Sequence, residues 1–357
     1  MDSQQRYELS VSALRGLKEK CPLLSRQTSA SRDKEMLGDL IGCDSGLARA
    51  SSLAIEFTGI FMDRDWLIVI LLGVTFGSAL YFNAILLRDL GPIAVSFARV
   101  GTAAVASWAF ILVTRPSAIF PAHQFMPLAI LGVFTFAIPL LAYPLGQQYL
   151  GAGMTGIVNA MTPAMTVAVS QFWPGGERVN ALKIAGVVTG IIGIVLLMTP
   201  AMGSGGQSEI RGILIVLLAP FGFAVSFNLI RNISGVAPAV MATWAFTAGA
   251  VVVGVAMLIL EGVPNVPGAQ AWGQIAIVGV LLTAVTYQVA FAILPRAGAL
   301  KVASITYVAP VSAVILGAVL LEEQLTMLHF AGMTVIFAGL VLIDRGRLQE
   351  RVKQAAN

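Results

Sequence analysis

Residues 76–83 read Phe-Gly-Ser-Ala-Leu-Tyr-Phe-Asn, and a related stretch, Phe-Gly-Phe-Ala-Val-Ser-Phe-Asn, follows at residues 221–228, an offset of 145. Matching residues continue on either side of this segment at offsets of 145–147. They pair Pro92 with Pro238, Gly132 with Gly279, Pro163 with Pro310, Gly186 with Gly332 and Gly193 with Gly339. Repeated matches at a nearly fixed spacing indicate that the chain contains two copies of one structural unit.

Both copies lie in strongly apolar sequence. Apolar residues make up 57% of the chain and charged residues 11%, whereas soluble globular proteins carry about 25% charged residues. Residues 1–65 contain 19 of the 40 charged side chains, which leaves 21 for the other 292 residues. A soluble fold of that size cannot cover its surface with so few charges. The composition therefore excludes a cytosolic enzyme, a disordered regulator and a secreted disulfide scaffold.

Ten apolar runs have the length of about 20 residues that a membrane-spanning helix needs. They cover residues 66–87, 92–113, 126–148, 152–173, 181–199, 211–230, 238–260, 272–294, 300–320 and 327–343. Five spans fall in each copy, and because five is odd, the second copy must be inverted relative to the first. We predict an all-α integral membrane protein with ten transmembrane helices, arranged as two inverted five-helix repeats at 66–199 and 211–343.

The basic residues predict the orientation. If the N-terminus is cytoplasmic, only Arg88 and Arg211 lie in the outer loops. The cytoplasmic loops and the C-terminal tail (344–357) then contain Arg115, Arg178, Lys183, Arg231, Arg296, Lys301, Arg345, Arg347, Arg351 and Lys353, with Arg64 before the first span. The positive-inside rule thus predicts a multi-pass protein of the cell inner (plasma) membrane with both termini in the cytoplasm. The same bias accounts for the net charge of +4, so we expect the lipid bilayer, and no nucleic acid, as a partner.

The polar N-terminal segment, residues 1–65, lacks the apolar core and small-residue cleavage site of a signal peptide. Two interpretations stay open: a cytoplasmic tail, or an untranslated stretch in front of a true start near Met62. Cys21 and Cys43 lie in this segment and form neither a metal-binding spacing nor a disulfide framework.

Inverted repeats are typical of alternating-access transporters, whose substrate site lies where the repeats meet, near the membrane midplane. Two other functions are alternatives: a lipid-modifying intramembrane enzyme, and a scaffold or receptor that transports nothing. The spans contain no nucleophile–base set, metal-ligand cluster or phosphate-binding loop, so we predict no enzyme activity, cofactor or metal. A scaffold or receptor has no need of an inverted duplication. A transporter of a small-molecule substrate is the favoured interpretation.

The chain also resembles the EamA-type permeases of the drug/metabolite transporter superfamily over about residues 66–343. The resemblance rests on Gly77–Asn83, Leu90-Gly-Pro92 leading to Arg99, Gly146-Gln147, Asn159–Pro163, Gly176-Glu177-Arg178 with Gly186, Arg296–Ala299, Pro310 and His329–Gly332. It implies ten helices in two EamA repeats and a secondary transporter, commonly an exporter, of small metabolites, amino acids or drugs.

Among the Asp, Glu, Lys, Arg and His residues, only Arg99 lies well inside a predicted span. It is seven residues into the second span, so at about 1.5 Å per residue it lies about 10 Å deep. Two interpretations stay open. The guanidinium binds the carboxylate or phosphate of a substrate through its two-pronged geometry, or it reaches outward or bonds carbonyls at a broken helix.

Neutral polar and aromatic residues in the spans are further candidates for a substrate cavity, because polar groups in hydrocarbon need partners. They are Asn83, Tyr143, Gln147, Asn159, Asn228, Trp244, Tyr287, Gln288 and Tyr307. For each, contact between helices is the alternative, and the repeat-related Asn83 and Asn228 are more typical of gates or packing contacts.

Proline and glycine in the spans predict where helices bend and where they approach closely. Pro163 and Pro310 each remove a backbone hydrogen bond in mid-span and predict hinges or kinks. The glycine pairs 73/77 and 186/190 allow close helix packing. That packing is expected within the chain, with a homodimer as the alternative.

Overall fold

A computed structural model describes residues 64–114, 122–174, 180–204, 206–266, 268–293 and 305–356. The N-terminal segment up to residue 63, including its predicted alternative start, lies outside these ranges. The predicted cytoplasmic residues Arg115, Arg178, Arg296 and Lys301, and the side chains of Arg64, Arg351 and Lys353, also lie outside the described residues. Every regular element within the described ranges is a helix.

Ten helices in the described residues coincide with the ten predicted spans. We number them in chain order: α1 (Arg64–Leu86), α2 (Pro92–Thr114), α3 (Ala122–Gln147), α4 (Ala152–Ser170), α5 (Ala181–Ser204), α6 (Gln207–Ile230), α7 (Pro238–Leu260), α8 (Gly268–Ile293), α9 (Ile305–Leu320) and α10 (Met327–Ala356). Within the described ranges, nine are long and apolar enough to cross a membrane, and α9 is a shorter apolar helix. The predicted all-α membrane fold is confirmed.

The last helix extends well beyond the predicted end of its span at residue 343, as far as Ala356. Residues 344–356 are polar, but Arg, Leu, Gln, Glu, Lys and Ala are all good helix formers. Hydropathy detects the part of a helix that lies in lipid and does not detect a polar continuation. Asp344 and Glu350 are therefore held in the same helix as the last apolar span.

Contacts between helices follow the inverted repeat. The most extensive pairs all join the first five helices to the last five: α5 with α10, α1 with α9, and α2 with α7. Exchanging the repeats turns the pair α1–α9 into α6–α4, and that pair is also extensive. Because the largest contacts cross between repeats, the two halves form one interlocked bundle with the repeat interface at its centre.

The pair α5–α10 is held by close backbone approach and by one buried ion pair. A Cβ atom added to Gly186 would lie 2.5 Å from the carbonyl oxygen of Gly339, so only glycine fits there without a shift. At one end of the pair, Lys183 Nζ in α5 lies 2.6 Å from a carboxylate oxygen of Glu350 in α10. The side chain of Lys183 is fully buried, so this ion pair fixes the start of α5 against the end of α10.

The α5–α10 contact predicts opposite effects for two glycine substitutions. We expect Gly186→Ala to destabilise the protein by about 1–3 kcal/mol, because the added methyl group must displace backbone. Gly273→Ala in α8 is the matched control, since a Cβ atom there meets nothing within 4 Å. Alanine is favoured over glycine in helices by about 1 kcal/mol, so the control keeps or gains stability. Thermal unfolding midpoints of the purified variants in detergent measure both, and equal midpoints contradict the close contact.

Candidate functional site

A narrow cavity lies where the two repeats meet. In this conformation the space open to the centre of a water molecule is about 20 Å³, enough for about one water. The first repeat contributes Phe76, Leu80, Arg99, Tyr143, Gly156 and Asn159, and the second contributes Phe223, Tyr287, Ala309 and Pro310. Four predicted binding residues, Arg99, Tyr143, Asn159 and Tyr287, and the predicted hinge Pro310 are thus brought together at one place.

Arg99 supplies the only charge among the described residues that line the cavity. Its side chain is 2% exposed, and its Nε–H donates a hydrogen bond of 2.8 Å to Thr283 Oγ1. Nη1 is buried without a hydrogen-bond partner, and no carboxylate in the described part of the chain forms an ion pair with Arg99. The guanidinium therefore does not reach the bundle surface. It lies in the cavity, and its Nη1 group can still donate hydrogen bonds to a ligand.

Thr283 positions the guanidinium from the opposite repeat. It lies in a π-helical turn of α8, Ile277–Val285, where its hydroxyl donates to the carbonyl of Val278, five residues earlier, at 2.6 Å. With its hydrogen used in this way, Oγ1 is oriented to accept from Arg99. π-Helical turns often occur at functional sites, and α3 contains one at the corresponding place, Val133–Ala137.

The hydroxyl of Tyr143 donates to Asn159 Oδ1 at 2.7 Å, which joins α3 to α4 across one side of the cavity. Asn159 stands just before an interruption of α4, since regular helix ends there and resumes at Thr162. Pro163 follows and has no N–H for the carbonyl of Asn159, so the Thr162 hydroxyl bonds that oxygen instead, at 2.7 Å. Pro163 thus accompanies a break in its helix, whereas Pro310 lies within the continuous helix α9.

Aromatic rings form much of the remaining wall. Tyr287 meets Phe76 edge-on at a centroid distance of 4.9 Å and Phe136 at the same distance. Phe136 in turn stacks on Phe246 at 3.9 Å. These rings leave few groups that could bind water, and in such surroundings an ionic interaction is stronger than in water.

Two predicted residues lie beside the cavity rather than in it. Gln147 Nε2 donates to the carbonyl of Leu80, a cavity residue, at 2.9 Å, while its Oε1 is buried without a partner. Asn83, one turn further along α1, is completely buried, and neither atom of its amide has a hydrogen-bond partner.

The other four predicted binding residues contact neighbouring helices or their own helix and do not line the cavity. Asn228 Nδ2 bonds Ala224 O at 2.9 Å, Gln288 Nε2 lies 3.4 Å from Ala239 O, Trp244 packs edge-on against Trp108, and Tyr307 donates to Asp344. Asn228 Nδ2, Gln288 Nε2 and the Tyr307 hydroxyl thus contact oxygen atoms within the bundle. Sequence reasoning missed Thr283 and the apolar lining, although Phe76 and Phe223 lie in the repeated segments.

A carboxylate from the second repeat caps helix α2 of the first. Glu261 follows α7 directly, and its two carboxylate oxygens accept the backbone N–H groups of Ile93 at 2.9 Å and Ala94 at 2.7 Å. Those N–H groups lie in the first turn of α2, where they have no partner within the helix. The negative charge is also favoured there by the helix dipole.

Glu323, between α9 and α10, makes the same kind of contact with α4. Its carboxylate oxygens accept the backbone N–H groups of Ala152 at 2.5 Å and Gly153 at 2.9 Å. The residue before it, Glu322, has a positive φ of 55°, which is uncommon outside glycine. We call Glu261 and Glu323 the cross-repeat caps. Both bind the second repeat to the first at the end of the bundle where α2 and α4 begin.

A bundle of two five-helix repeats with a cavity where they meet is typical of membrane transporters. The model of the EamA-like transporter family matches residues 65–199 and again 210–344, so the chain belongs to this family. The two matches agree with the inverted five-helix repeats. Among the described residues, no group of three His, Cys, Asp or Glu side chains is placed to hold a metal ion.

Curated relatives agree with this assignment. A protein of Escherichia coli (strain K12) named as a probable amino-acid metabolite efflux pump is 25% identical over 296 residues, which cover 78% of this chain and 94% of the relative. The uncharacterized transporter YoaV of Bacillus subtilis is 27% identical over 220 residues, or 61% and 72% of the two chains. A crystal structure of another protein superposes with a TM-score of 0.57 at 19% identity and covers 80% of this chain and 97% of that chain. The two named relatives are thus a transporter and a probable efflux pump.

The Arg99–Thr283 contact predicts a loss of stability that depends on both residues. Thr283→Val keeps the side-chain shape but leaves Arg99 Nε without its acceptor, which costs about 1–3 kcal/mol for a buried group. Thr283→Ser retains the hydroxyl and serves as the control. We expect thermal unfolding in detergent to shift downward for valine only, and much less so in an Arg99→Met background. An equal shift in both backgrounds contradicts the contact.

Proposed function

We propose that this transporter exports small acidic metabolites across the inner membrane, that it is a secondary transporter, and that it works by alternating access. The observation that carries the proposal is the state of Arg99. It is a buried guanidinium in the cavity between the repeats, held from one side by Thr283, and no carboxylate of the described residues pairs with it. A buried cation without a partner is costly. A substrate carboxylate or phosphate provides the negative counter-charge and can accept two parallel hydrogen bonds from the guanidinium.

The direction and the class of substrate are supported by the relatives. The Escherichia coli relative is named as a probable amino-acid metabolite efflux pump, and metabolites of amino acids commonly retain a carboxylate. Other relatives are named simply as transporters. An outward pump for small acids fits these names and the presence of Arg99 as the one cation among the described residues of the cavity.

The cross-repeat caps supply a means of closing one end of the pathway. Each carboxylate holds the start of a first-repeat helix against a second-repeat loop by two charge-assisted hydrogen bonds. If the repeats move apart at this end, all four bonds break and the first turns of α2 and α4 become accessible. Alternating access at this end therefore consists of making and breaking these caps while the α5–α10 contact persists.

The capped end faces outward in the proposed orientation. Lys183 and Glu350 bring the start of α5 and the end of α10 to the opposite end of the bundle, together with the basic residues Arg345 and Arg347 of α10. The positive-inside rule assigns that basic end to the cytoplasm. The described conformation is then closed on the outside by Glu261 and Glu323.

Arg99→Lys tests the proposed binding role directly. Lysine keeps the charge, but its compact ammonium cannot bind a carboxylate with two prongs while also bonding Thr283. We expect export rates to fall by at least about tenfold, while the amount of protein in the membrane is unchanged. The measurement is flux of a panel of labelled amino acids, 2-oxo acids, N-acyl amino acids and phosphorylated metabolites from proteoliposomes. Arg88→Lys, an exposed arginine before α2, is the control, and normal flux in Arg99→Lys rejects the binding role.

Glu323→Gln tests the proposed outer closure. Removing the charge weakens a helix cap by about 1 kcal/mol and so favours the open state by about fivefold. The readout is the labelling rate of Leu80→Cys in the cavity by a charged, membrane-impermeant maleimide added outside, with Cys21 and Cys43 replaced by serine. Asp89→Asn, an exposed carboxylate just before the capped helix α2, is the control. Labelling that is unchanged or slower in Glu323→Gln contradicts the closure.

A further inference from the structure

We propose that the substrates are monocarboxylates that carry no free ammonium group, such as 2-hydroxy, 2-oxo or N-acyl acids with an apolar side chain. The inference rests on the proposed function, since it names the substrate class of the same cavity. It follows from the balance of charges around Arg99 and from the composition of the walls, and it distinguishes molecules of nearly identical shape.

The number of charges favours a carboxylate over a phosphate. Arg99 is the one cation among the described residues of the cavity, and Nη1 is buried without a partner. A phosphate monoester carries between one and two negative charges near neutral pH. One guanidinium leaves part of that charge unneutralised in a site walled by aromatic rings, whereas a carboxylate is neutralised completely.

The same balance disfavours a zwitterion. An α-amino acid would bring its ammonium group into the cavity within a few bonds of the carboxylate that meets Arg99. No described residue that lines the cavity is an aspartate or glutamate, so the ammonium would be buried beside a guanidinium with no counter-charge. A buried charge that loses its hydration without a partner is costly. A hydroxyl, carbonyl or acylamide group at the same carbon avoids that cost.

The neutral polar groups of the cavity suit an uncharged substituent. The Tyr143 hydroxyl donates to the Asn159 side-chain oxygen at 2.7 Å. Both oxygens can accept from a hydroxyl at the 2-position of an acid, and an asparagine NH2 group can donate to a carbonyl there. Phe76, Phe223 and Tyr287 then surround the remaining hydrocarbon part. The site thus offers one cation, neutral hydrogen-bonding groups and apolar walls, which is the complement of a small apolar monocarboxylate.

The decisive comparison uses three compounds that share one hydrocarbon chain: 2-hydroxy-4-methylpentanoate, leucine and leucinamide. The first two differ only in a hydroxyl in place of the ammonium group, and the third has no carboxylate. Initial rates of labelled compound efflux are measured from proteoliposomes containing the full chain, with empty vesicles subtracted. We expect the hydroxy acid to move at least about tenfold faster than leucine, because a buried group without a partner gives strong discrimination, and leucinamide to remain at background.

Competition provides a second measurement that needs no variant. Unlabelled hydroxy acid should inhibit its own efflux, and leucine at the same concentration should inhibit it at least about tenfold less.

Arg99→Gln should abolish transport of the hydroxy acid, whereas Arg88→Gln, which removes an exposed charge, should preserve it.

The outcomes separate the two levels of the proposal. Leucine moving as fast as the hydroxy acid, or inhibiting as well, overturns the substrate class but leaves an Arg99-dependent exporter of small acids intact. Failure of all three compounds, while the amino acids or the phosphorylated metabolites of the panel are exported and its 2-oxo and N-acyl acids are not, also overturns the substrate class alone. Failure of the whole panel in vesicles that contain folded protein overturns the proposed function itself.

Discussion

The burial of one guanidinium without a carboxylate is the constraint on which the account depends. Arg99 is almost completely enclosed and is held by the hydroxyl of Thr283, a neutral group that orients the charge without neutralising it. A carboxylate in place of Thr283 would form a closed ion pair and leave nothing for a ligand. The hydroxyl therefore orients the cation without neutralising it, and in the proposed function an acidic ligand supplies the counter-charge. The π-helical turn of α8 contains Thr283 and orients its hydroxyl toward Arg99, so this local irregularity of the helix contributes to the site.

A second physical theme is that the contacts between repeats differ in kind. The α5–α10 pair combines glycine backbones and a buried ion pair, which gives it little freedom to separate. At the other end of the bundle, the cross-repeat caps use flexible glutamate side chains on helix starts, and these can be exchanged for water when they are exposed. The α5–α10 contact is suited to holding the repeats together throughout a transport cycle, and the cross-repeat caps are suited to opening and closing. Alternating access requires contacts of both types.

Much of the fold was predictable from the sequence because membranes impose simple rules. Length and hydropathy gave the ten spans, and the matches between residues 76–83 and 221–228 gave the repeat. Arg99 was identifiable because a charge in a span is rare. Thr283 was not, since a threonine in a helix ordinarily bonds its own backbone, and only the fold shows that its oxygen faces Arg99. Trp244 and Tyr307 had the right chemistry for the cavity, but their positions around the helix direct them to Trp108 and Asp344 instead.

The central claim is that an acidic ligand binds in the cavity through Arg99, and a structure of the complex tests it most directly. The measurement is the position of the bound carboxylate in the protein determined with 2-hydroxy-4-methylpentanoate. We expect carboxylate oxygens about 2.7–2.9 Å from the guanidinium nitrogens of Arg99, with Thr283 still bonded to Nε and the hydrocarbon chain among Phe76, Phe223 and Tyr287. A ligand whose carboxylate lies elsewhere, with Arg99 still unpaired, would contradict it.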